Sequence, residues 1–332
     1  MSVITPIVPE PLPAPMAAAP AREKTWVLAE DKAGMLSQAV GLAEAASLVP
    51  EVRLLRARGP QAWLTPALWW SPLSAVDAVA LRPPRTAAII GCGGMAGAVL
   101  AALRGRARTV IVQNPRRDLR HFDLVVANVH DEISGPNVLV TRTALHRVTP
   151  ERLEAAAAEW EPRFAHLPRP LVAVLLGGSN GRLTLDHAVA EGLAGQLAEM
   201  LRRDHVGMVV TPSRRTGAVA REILERTLRP LGAMVWDGAG DNPYFGMLAL
   251  ADAIVVTADS VSMVSEAVAT RAPVLLAPLP GQSRRGGLFL RPLVDAGRLR
   301  AFRGRLDLWP VEPIDDTQAA AAEVRRRLGL DA

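Results

Sequence analysis

The densest set of oxygen-bearing side chains lies in Thr257-Ala258-Asp259-Ser260-Val261-Ser262-Met263-Val264-Ser265-Glu266. Ile254-Val255-Val256 before it has the β-branched pattern of a buried parallel strand, and Val274-Leu275-Leu276 after it reads as another. The polar run between them turns the chain and caps a helix expected from about Val261 to Thr270. Open α/β sheets bind ligands at such junctions, because the first N–H groups of a helix are unpaired and carry partial positive charge. Asp259, Ser260, Ser262 and Glu266 therefore suit a phosphate or a sugar. The same pattern also fits an ordinary strand–helix junction with a good cap.

Three further strand ends in the same half carry matching chemistry. Gly177-Gly178-Ser179-Asn180 follows the apolar run Leu171 to Leu176 and offers backbone N–H groups to a phosphate. It lacks the Lys-Ser/Thr of a P-loop, which disfavours an NTPase. Ser213, Arg214 and Arg215 read as an anion clamp or as a solvated arginine pair. Asn242 and Tyr244 sit at a helix start, where the only tyrosine either stacks on a base or packs. In the first half, Asp31, Lys32 and Gln38 follow the strand Trp26 to Ala29, with Ser37 as the expected helix cap. Gly93 and Gly94 follow the strand Thr86 to Gly91, but no acidic residue about 20 positions on completes a dinucleotide fingerprint. His130 ends the strand Phe122 to Ala127 beside Asp131, the place for a general base, a substrate clamp or a loop hydrogen bond.

The elements that must hold these residues alternate strand and helix twice over. The expected fold is α/β, with two doubly wound Rossmann-like domains facing a cleft, the GT-B architecture. Residues 1–24 read as a disordered Pro/Ala-rich leader without the pattern of a secretory signal. Residues 25–148 form the first domain and 149–170 a connector helix and linker, with Thr149 as cap and Pro150 in the first helical position. Residues 171–315 form the second domain, and 316–332 a C-terminal helix that crosses back.

The net charge of +5 comes almost wholly from arginine, since Lys24 and Lys32 are the only lysines. Arginine forks onto phosphates and carboxylates. The arginines are dispersed, without a basic stripe interleaved with aromatics, which excludes nucleic acid as the expected partner. Trp63, Trp69 and Trp70 lie in a non-periodic stretch, Gln61 to Pro84, flanked by Arg53, Arg56, Arg58, Arg82 and Arg85. Such a stretch either packs under a loop or associates peripherally with an anionic membrane. Cys92 is the only cysteine, which fits a reducing cytoplasm and rules out an intrachain disulfide and a multi-cysteine zinc site. The expected location is cytoplasmic, with possible contact at the inner membrane face.

The glycine loop GGSNG is similar to the diphosphate loop of peptidoglycan lipid II N-acetylglucosaminyltransferase, and Glu266 stands where a Glu in that fold binds ribose hydroxyls. Nearly the whole chain after residue 25 resembles the mitochondrial-fission ELM (elongated mitochondria) family. The matching text includes Asp31 to Gly34, Gln38 to Ala45, Asn114 to Asp131, Gly135 to Thr141, Thr211 to Thr216 and Asp241 to Thr270. The chain departs from the family pattern at Met35, where a His is expected, at Cys92-Gly93-Gly94, in place of a Gly-Arg-Arg-type turn, and at Arg271-Ala272. The resemblance implies a GT-B-type glycosyltransferase that takes a nucleotide-diphosphate sugar, such as a UDP-sugar, and needs no metal or other cofactor. Its donor would rest on Gly177 to Asn180, Ser213 to Arg215, Asn242, Tyr244, Asp259, Ser260, Ser262 and Glu266. Lys32, Gln38, Gly93 and Gly94 would face the acceptor, and Asp31 or His130 would activate it. Two alternatives stand beside this: a non-catalytic adaptor on the same scaffold, the role plant members have in organelle division, and a nucleotide-sugar epimerase or hydrolase.

Overall fold

The computed structural model describes residues 24–81, 86 and 88–330. In chain order the elements are β1 Lys24–Ala29, α1 Ala33–Ala45, β2 Val49–Leu54, β3 Ala88–Cys92, α2 Gly94–Ala102, β4 Arg108–Val112, β5 Leu124–Asn128 and β6 Val138–Thr141. They continue with α3 Pro150–Phe164, β7 Leu171–Leu176, α4 His187–Asp204, β8 Gly207–Pro212, α5 Ala218–Leu228, β9 Met234–Val235, α6 Tyr244–Leu250 and β10 Ala253–Thr257. The last are α7 Val261–Val268, β11 Val274–Ala277, α8 Arg284–Asp295, β12 Leu299–Ala301 and α9 Thr317–Leu328.

The strands form two parallel six-stranded sheets, β2-β1-β3-β4-β5-β6 and β12-β11-β10-β7-β8-β9. β3, β5, β7, β8 and β10 are buried along their whole length, as continuous Val/Ile/Leu runs covered by helices on both faces require. In the second sheet the strand order reverses between β7 and β10, so the glycine loop and the 257–262 turn flank one switch point. Parallel strands leave their carboxyl ends, and thus these two loops, on one edge with a crevice between them. α3 packs Trp160 and Phe164 onto the second sheet, beside Leu171 and Met247. α9 buries Ala320, Ala321 and Val324 among Val27 and Leu124 of the first sheet and Leu42 of α1. Arg142 of the first sheet's edge and Asp316 at the start of α9 pair at 2.7 Å, and α9 thereby ties the chain's end to its first half.

Several sequence expectations need correction. α1 begins at Ala33 rather than near Ser37; Lys32 occupies its N-cap position without a side-chain cap, and Ser37 lies one turn inside the helix. β2 and β12 escape a reading by hydrophobic pattern because both are edge strands. VPEVRL carries Pro50, Glu51 and Arg53, and LRA is three residues long. α8 starts at Arg284, capped by Ser283, so Arg284 and Arg285 belong to its first turn. Lys24, placed in the leader by composition, opens β1; residues 1–23, Arg82 and Arg85 lie outside the described residues. No described helix is long and apolar enough to cross a membrane.

Candidate functional site

A cavity of about 250 Å³ lies between the carboxyl edges of the two sheets. Gln38, Gln113, Asn128, His130 and Thr141 line it from the first sheet; Arg215, Asp259, Ser260 and Ser262 face them from the second. Gln113, Asn128 and Thr141 stand at the carboxyl ends of the successive parallel strands β4, β5 and β6, while Gln38 lies on α1 and His130 in the turn after β5. Gln113 follows β4 at φ 73°, a left-handed backbone that few non-glycine residues hold without surrounding support. Asn128 ends β5 and donates to the Arg142 carbonyl at 3.1 Å, while Thr141 ends β6. Gln38 is buried, donates to the Gly34 carbonyl at 3.0 Å and accepts from Gln113 at 3.5 Å.

His130 sits in the short 3-10 turn Val129–Asp131. Its Nε2 lies 4.0 Å from Asp131 Oδ1, its Nδ1 is buried without a partner, and its ring stands edge-on to Phe289. Burial lowers its pKa, with Asp131 pulling the other way and Arg285 adding to the lowering. Burial thus favours the neutral imidazole over its charged form. Asp131 is held by Arg285 of α8, and neighbouring Glu132 by Arg284, so the second half of the chain braces the turn that carries the base candidate. Asp31, the other candidate, stays outside the cavity, 62% exposed and 3.8 Å from Arg214. Lys32 pairs with Glu30, and Gly93 and Gly94 start α2; none of the three lines the cavity.

On the second sheet the glycine loop is already filled by the protein itself. The Gly178 N–H donates to Asp259 Oδ2 at 3.0 Å and the Gly177 N–H to Thr257 Oγ1 at 2.7 Å. A Cβ on Gly177 would meet Asp259 Oδ1 at 2.2 Å, and one on Gly178 the Arg215 carbonyl at 1.9 Å, so both glycines are needed for this close approach. Asp259 is also 2.8 Å from Arg215 Nη1, and its Oδ1 is buried without a partner. Ser179 accepts from the Leu185 N–H, Asn180 from those of Arg182 and Leu183, and Ser213 donates to the Gly177 carbonyl. These three side chains shape the loops rather than project from them. Ser260 caps α7, leaving that helix's first turn and Ser262 at the cavity.

Glu266 is buried on α7, and both its oxygens are engaged. Ser37 of α1 donates to Oε1 at 3.0 Å and Tyr244 to Oε2 at 2.5 Å. Burial raises the pKa of Glu266, partly offset by the two hydroxyls, and burial with the nearby carboxylate raises that of Tyr244. Asn242 accepts from the Tyr244 N–H and so sets the start of α6. Ser265, one residue before Glu266, accepts the Ala144 N–H at 2.8 Å from the first half. At its other end α7 is gripped by buried Arg298, which donates to the Val268, Thr270 and Ala272 carbonyls; burial lowers its pKa to about 10. Gln113, Asn128, Thr141 and Arg285 were not singled out by sequence. Their only signal is that each polar residue stands at a strand's carboxyl end or a helix's first turn.

A family model described as mitochondrial fission ELM1 matches residues 33–328. The chain belongs to the ELM1 family. It is 32% identical over 272 residues to mitochondrial fission protein ELM1 of Arabidopsis thaliana, a match covering 72% of this chain and 63% of that protein. It is 26% identical over 210 residues to protein RP120 of Rickettsia prowazekii (strain Madrid E), covering 61% and 58%. The chain thus spans about six-tenths of the length of these curated relatives. Among solved structures it is similar to a UDP-GlcNAc 2-epimerase from Methanocaldococcus jannaschii in complex with UDP-GlcNAc and UDP, with TM-score 0.54, 12% identity and coverage of 91% and 98%. It is also similar to the glycosyltransferase SnogD from Streptomyces nogalater, with TM-score 0.51, 18% identity and coverage of 93% and 95%. At these identities the likeness shows the fold: this ELM1-family chain has the GT-B arrangement of two Rossmann-like domains. Met35 packs close to Gly93, where an added Cβ would meet its side chain at 3.0 Å.

Proposed function

We propose that the cleft binds a nucleoside-diphosphate sugar and transfers the sugar to an acceptor hydroxyl activated by His130. The observation that carries this reading is the pairing, across one cavity, of a helix N-terminus and Arg215 with a histidine whose Nε2 lies 4.0 Å from a carboxylate. The diphosphate rests at the first turn of α7 and against Arg215, where N–H groups and a guanidinium offset its charge. His130 takes the proton from the acceptor O–H, the freed oxygen bonds to the anomeric carbon, and the bond from that carbon to the phosphate oxygen breaks. The diphosphate leaves with the electron pair, stabilised by the same positive groups. The complex of the similarly folded epimerase with UDP-GlcNAc and UDP supports the choice of ligand class. Calorimetry with UDP and UDP-sugars tests binding, and radiolabelled products separate transfer from epimerisation and hydrolysis.

One observation favours a second reading, a non-catalytic binding protein on the same scaffold. Asp259 fills the glycine loop, and Ser37 and Tyr244 occupy both oxygens of Glu266, so two expected donor contacts are internal. Absence of UDP binding at millimolar concentration removes the transferase reading and leaves this one.

A further inference from the structure

The chain between β2 and β3 forms short 3-10 turns at Pro60–Trp63 and Pro66–Leu68, and it is firmly braced. Trp69 is buried and its indole N–H donates to the Gln61 carbonyl at 2.7 Å. Gln61 is buried too, and its side chain accepts from the Ser71 N–H at 3.0 Å. Arg117 reaches across to donate to the Pro66 carbonyl at 2.5 Å. What this brace holds outward is apolar: Trp63 is 92% exposed, Trp70 69% and Leu68 65%.

A slack loop would turn two indoles and a leucine inward, because apolar surface leaves water spontaneously. Here the bonds from Trp69, Gln61 and Arg117 brace the backbone with these side chains facing outward. No residue from Gly59 to Val76 is charged. The tip is flanked by Arg58, which precedes it, and by Arg116 beside Pro115; Pro66 and Pro115 pack along the same side of α2, at Gly94 and Gly97. Both arginines are exposed and form no ion pair among the described residues. Indoles prefer the headgroup level of a bilayer, leucine the acyl boundary, and free guanidinium groups the phosphates of anionic lipids. A protein partner would call for a polar rim of hydrogen-bonding side chains around the apolar centre. Between Ala62 and Trp70 the tip offers only Thr65 besides the indole N–H groups themselves.

We propose that Pro60 to Trp70 is a membrane-docking loop that seats this chain on an anionic bilayer, with Trp63, Leu68 and Trp70 in the interface. The loop covers Gly94 at the carboxyl end of β3, the sheet edge that also carries the cavity. Seating here stands whether or not the cleft transfers a sugar.

The test is sedimentation of the full chain with vesicles of phosphatidylcholine and phosphatidylglycerol, against phosphatidylcholine alone, at low and high salt. Lipids brominated on the upper acyl chain report indole depth by fluorescence quenching. The wild-type chain pellets with the anionic vesicles and is quenched. Trp63→Ser/Trp70→Ser, whose side chains bear little on folding because they are exposed, loses about tenfold in partitioning and most of the quenching. Arg58→Gln/Arg116→Gln loses about fivefold per arginine near the surface and most of the salt dependence. Circular dichroism and thermal midpoints confirm that the variants fold. The proposal is overturned if the wild type stays in the supernatant at low salt, if the double tryptophan variant pellets equally, or if brominated lipid leaves the fluorescence unchanged. A concentration-dependent dimer that the tryptophan variant abolishes, without vesicle binding, would assign the surface to a second copy and also overturn it.

Discussion

Replacing Asp259 by Asn tests whether the glycine loop is a phosphate site held by a stand-in anion. In the structure the Asp259 carboxylate accepts from Gly178 and pairs with Arg215 at 2.8 Å, its side chain fully inaccessible. A diphosphate entering the cavity that Asp259 lines meets this negative charge at a few ångströms. At about 4 Å, two unit charges interact by roughly 1 kcal/mol in water-like surroundings and roughly 4 kcal/mol at an effective dielectric of 20. The cavity is partly open to solvent, so the lower half of that range applies, about 1–2 kcal/mol or roughly five- to thirtyfold in Kd. Asn keeps an oxygen for the Gly178 N–H and frees Arg215, which is 42% exposed and loses little from the broken pair. The expected fold cost is about 1 kcal/mol, a small change in thermal midpoint. Calorimetry of UDP with wild type, Asp259→Asn and Arg215→Gln at fixed low salt reads the effect. Binding should tighten for Asp259→Asn and weaken for Arg215→Gln. If Asp259→Asn binds UDP no better than wild type, the stand-in reasoning is wrong and Asp259 is a ligand or a purely structural residue.

Burial lowers the pKa of His130, so transfer should rise with pH through an apparent value below 6.5 and then level off; His130→Gln should lose about 10²–10⁴-fold, and an unchanged profile excludes it as the base. Burial raises the pKa of Glu266, so the folded state keeps this proton longer than the unfolded chain does. Its contribution is complete below the unfolded value near 4.5 and is lost as pH rises through the folded value. Urea titrations should therefore show wild type gaining on Glu266→Gln as pH falls from neutral toward 4.5, and a gap that stays constant refutes the linkage. Ser37→Ala removes the bond between α1 and Glu266, about 1 kcal/mol, and should tighten nucleotide binding by up to about fivefold; weaker binding would make Ser37 a ligand. Cys92 is fully buried and its thiol pKa is pushed up by burial, then by Glu30 and Asp131, so thiol reagents should label it only after unfolding.

The second sheet is the more legible in sequence, because a strand buried on both faces announces itself as a Val/Ile/Leu run and its loops as Gly/Ser/Thr clusters. α3 begins where Thr149 and Pro150 place it, with the Thr149 hydroxyl accepting the Arg152 N–H. Edge strands β2 and β12 carry charges and a proline, and their pattern resembles loop. The roles of the site residues are harder to read, since they come from pairings far apart in the chain. Gly178 meets Asp259 across 81 residues, and Ser37 meets Glu266 across 229. A local window shows a glycine loop and an acidic helix; only the folded chain shows that each has already found a partner. Ser37 illustrates the gap well. Its type suggests a helix cap, yet the helix starts four residues earlier and turns its hydroxyl toward the other half.

The two engaged carboxylates have different consequences for any ligand of the cleft. Asp259 is engaged through Oδ2 within its own sheet, by β7's loop and by Arg215 after β8, so displacing it leaves the two halves of the chain where they are. Glu266 is satisfied across the cleft, and so are Ser265 by Ala144 and Asp131 by Arg285. A ligand that claims Glu266 must therefore part α1 from α7, and its affinity is reduced by the free energy of the contacts it breaks. A ligand confined to Arg215, the first turn of α7 and His130 meets no such penalty. The wall opposite α7 presents Gln38, Gln113, Asn128 and Thr141, uncharged groups that can accept and donate to hydroxyls. With Asp259 displaced, Arg215 and the first turn of α7 on one wall and neutral hydrogen-bonding groups on the other match a molecule with an anionic end and a polyhydroxyl end, the class of ligand proposed for this cleft.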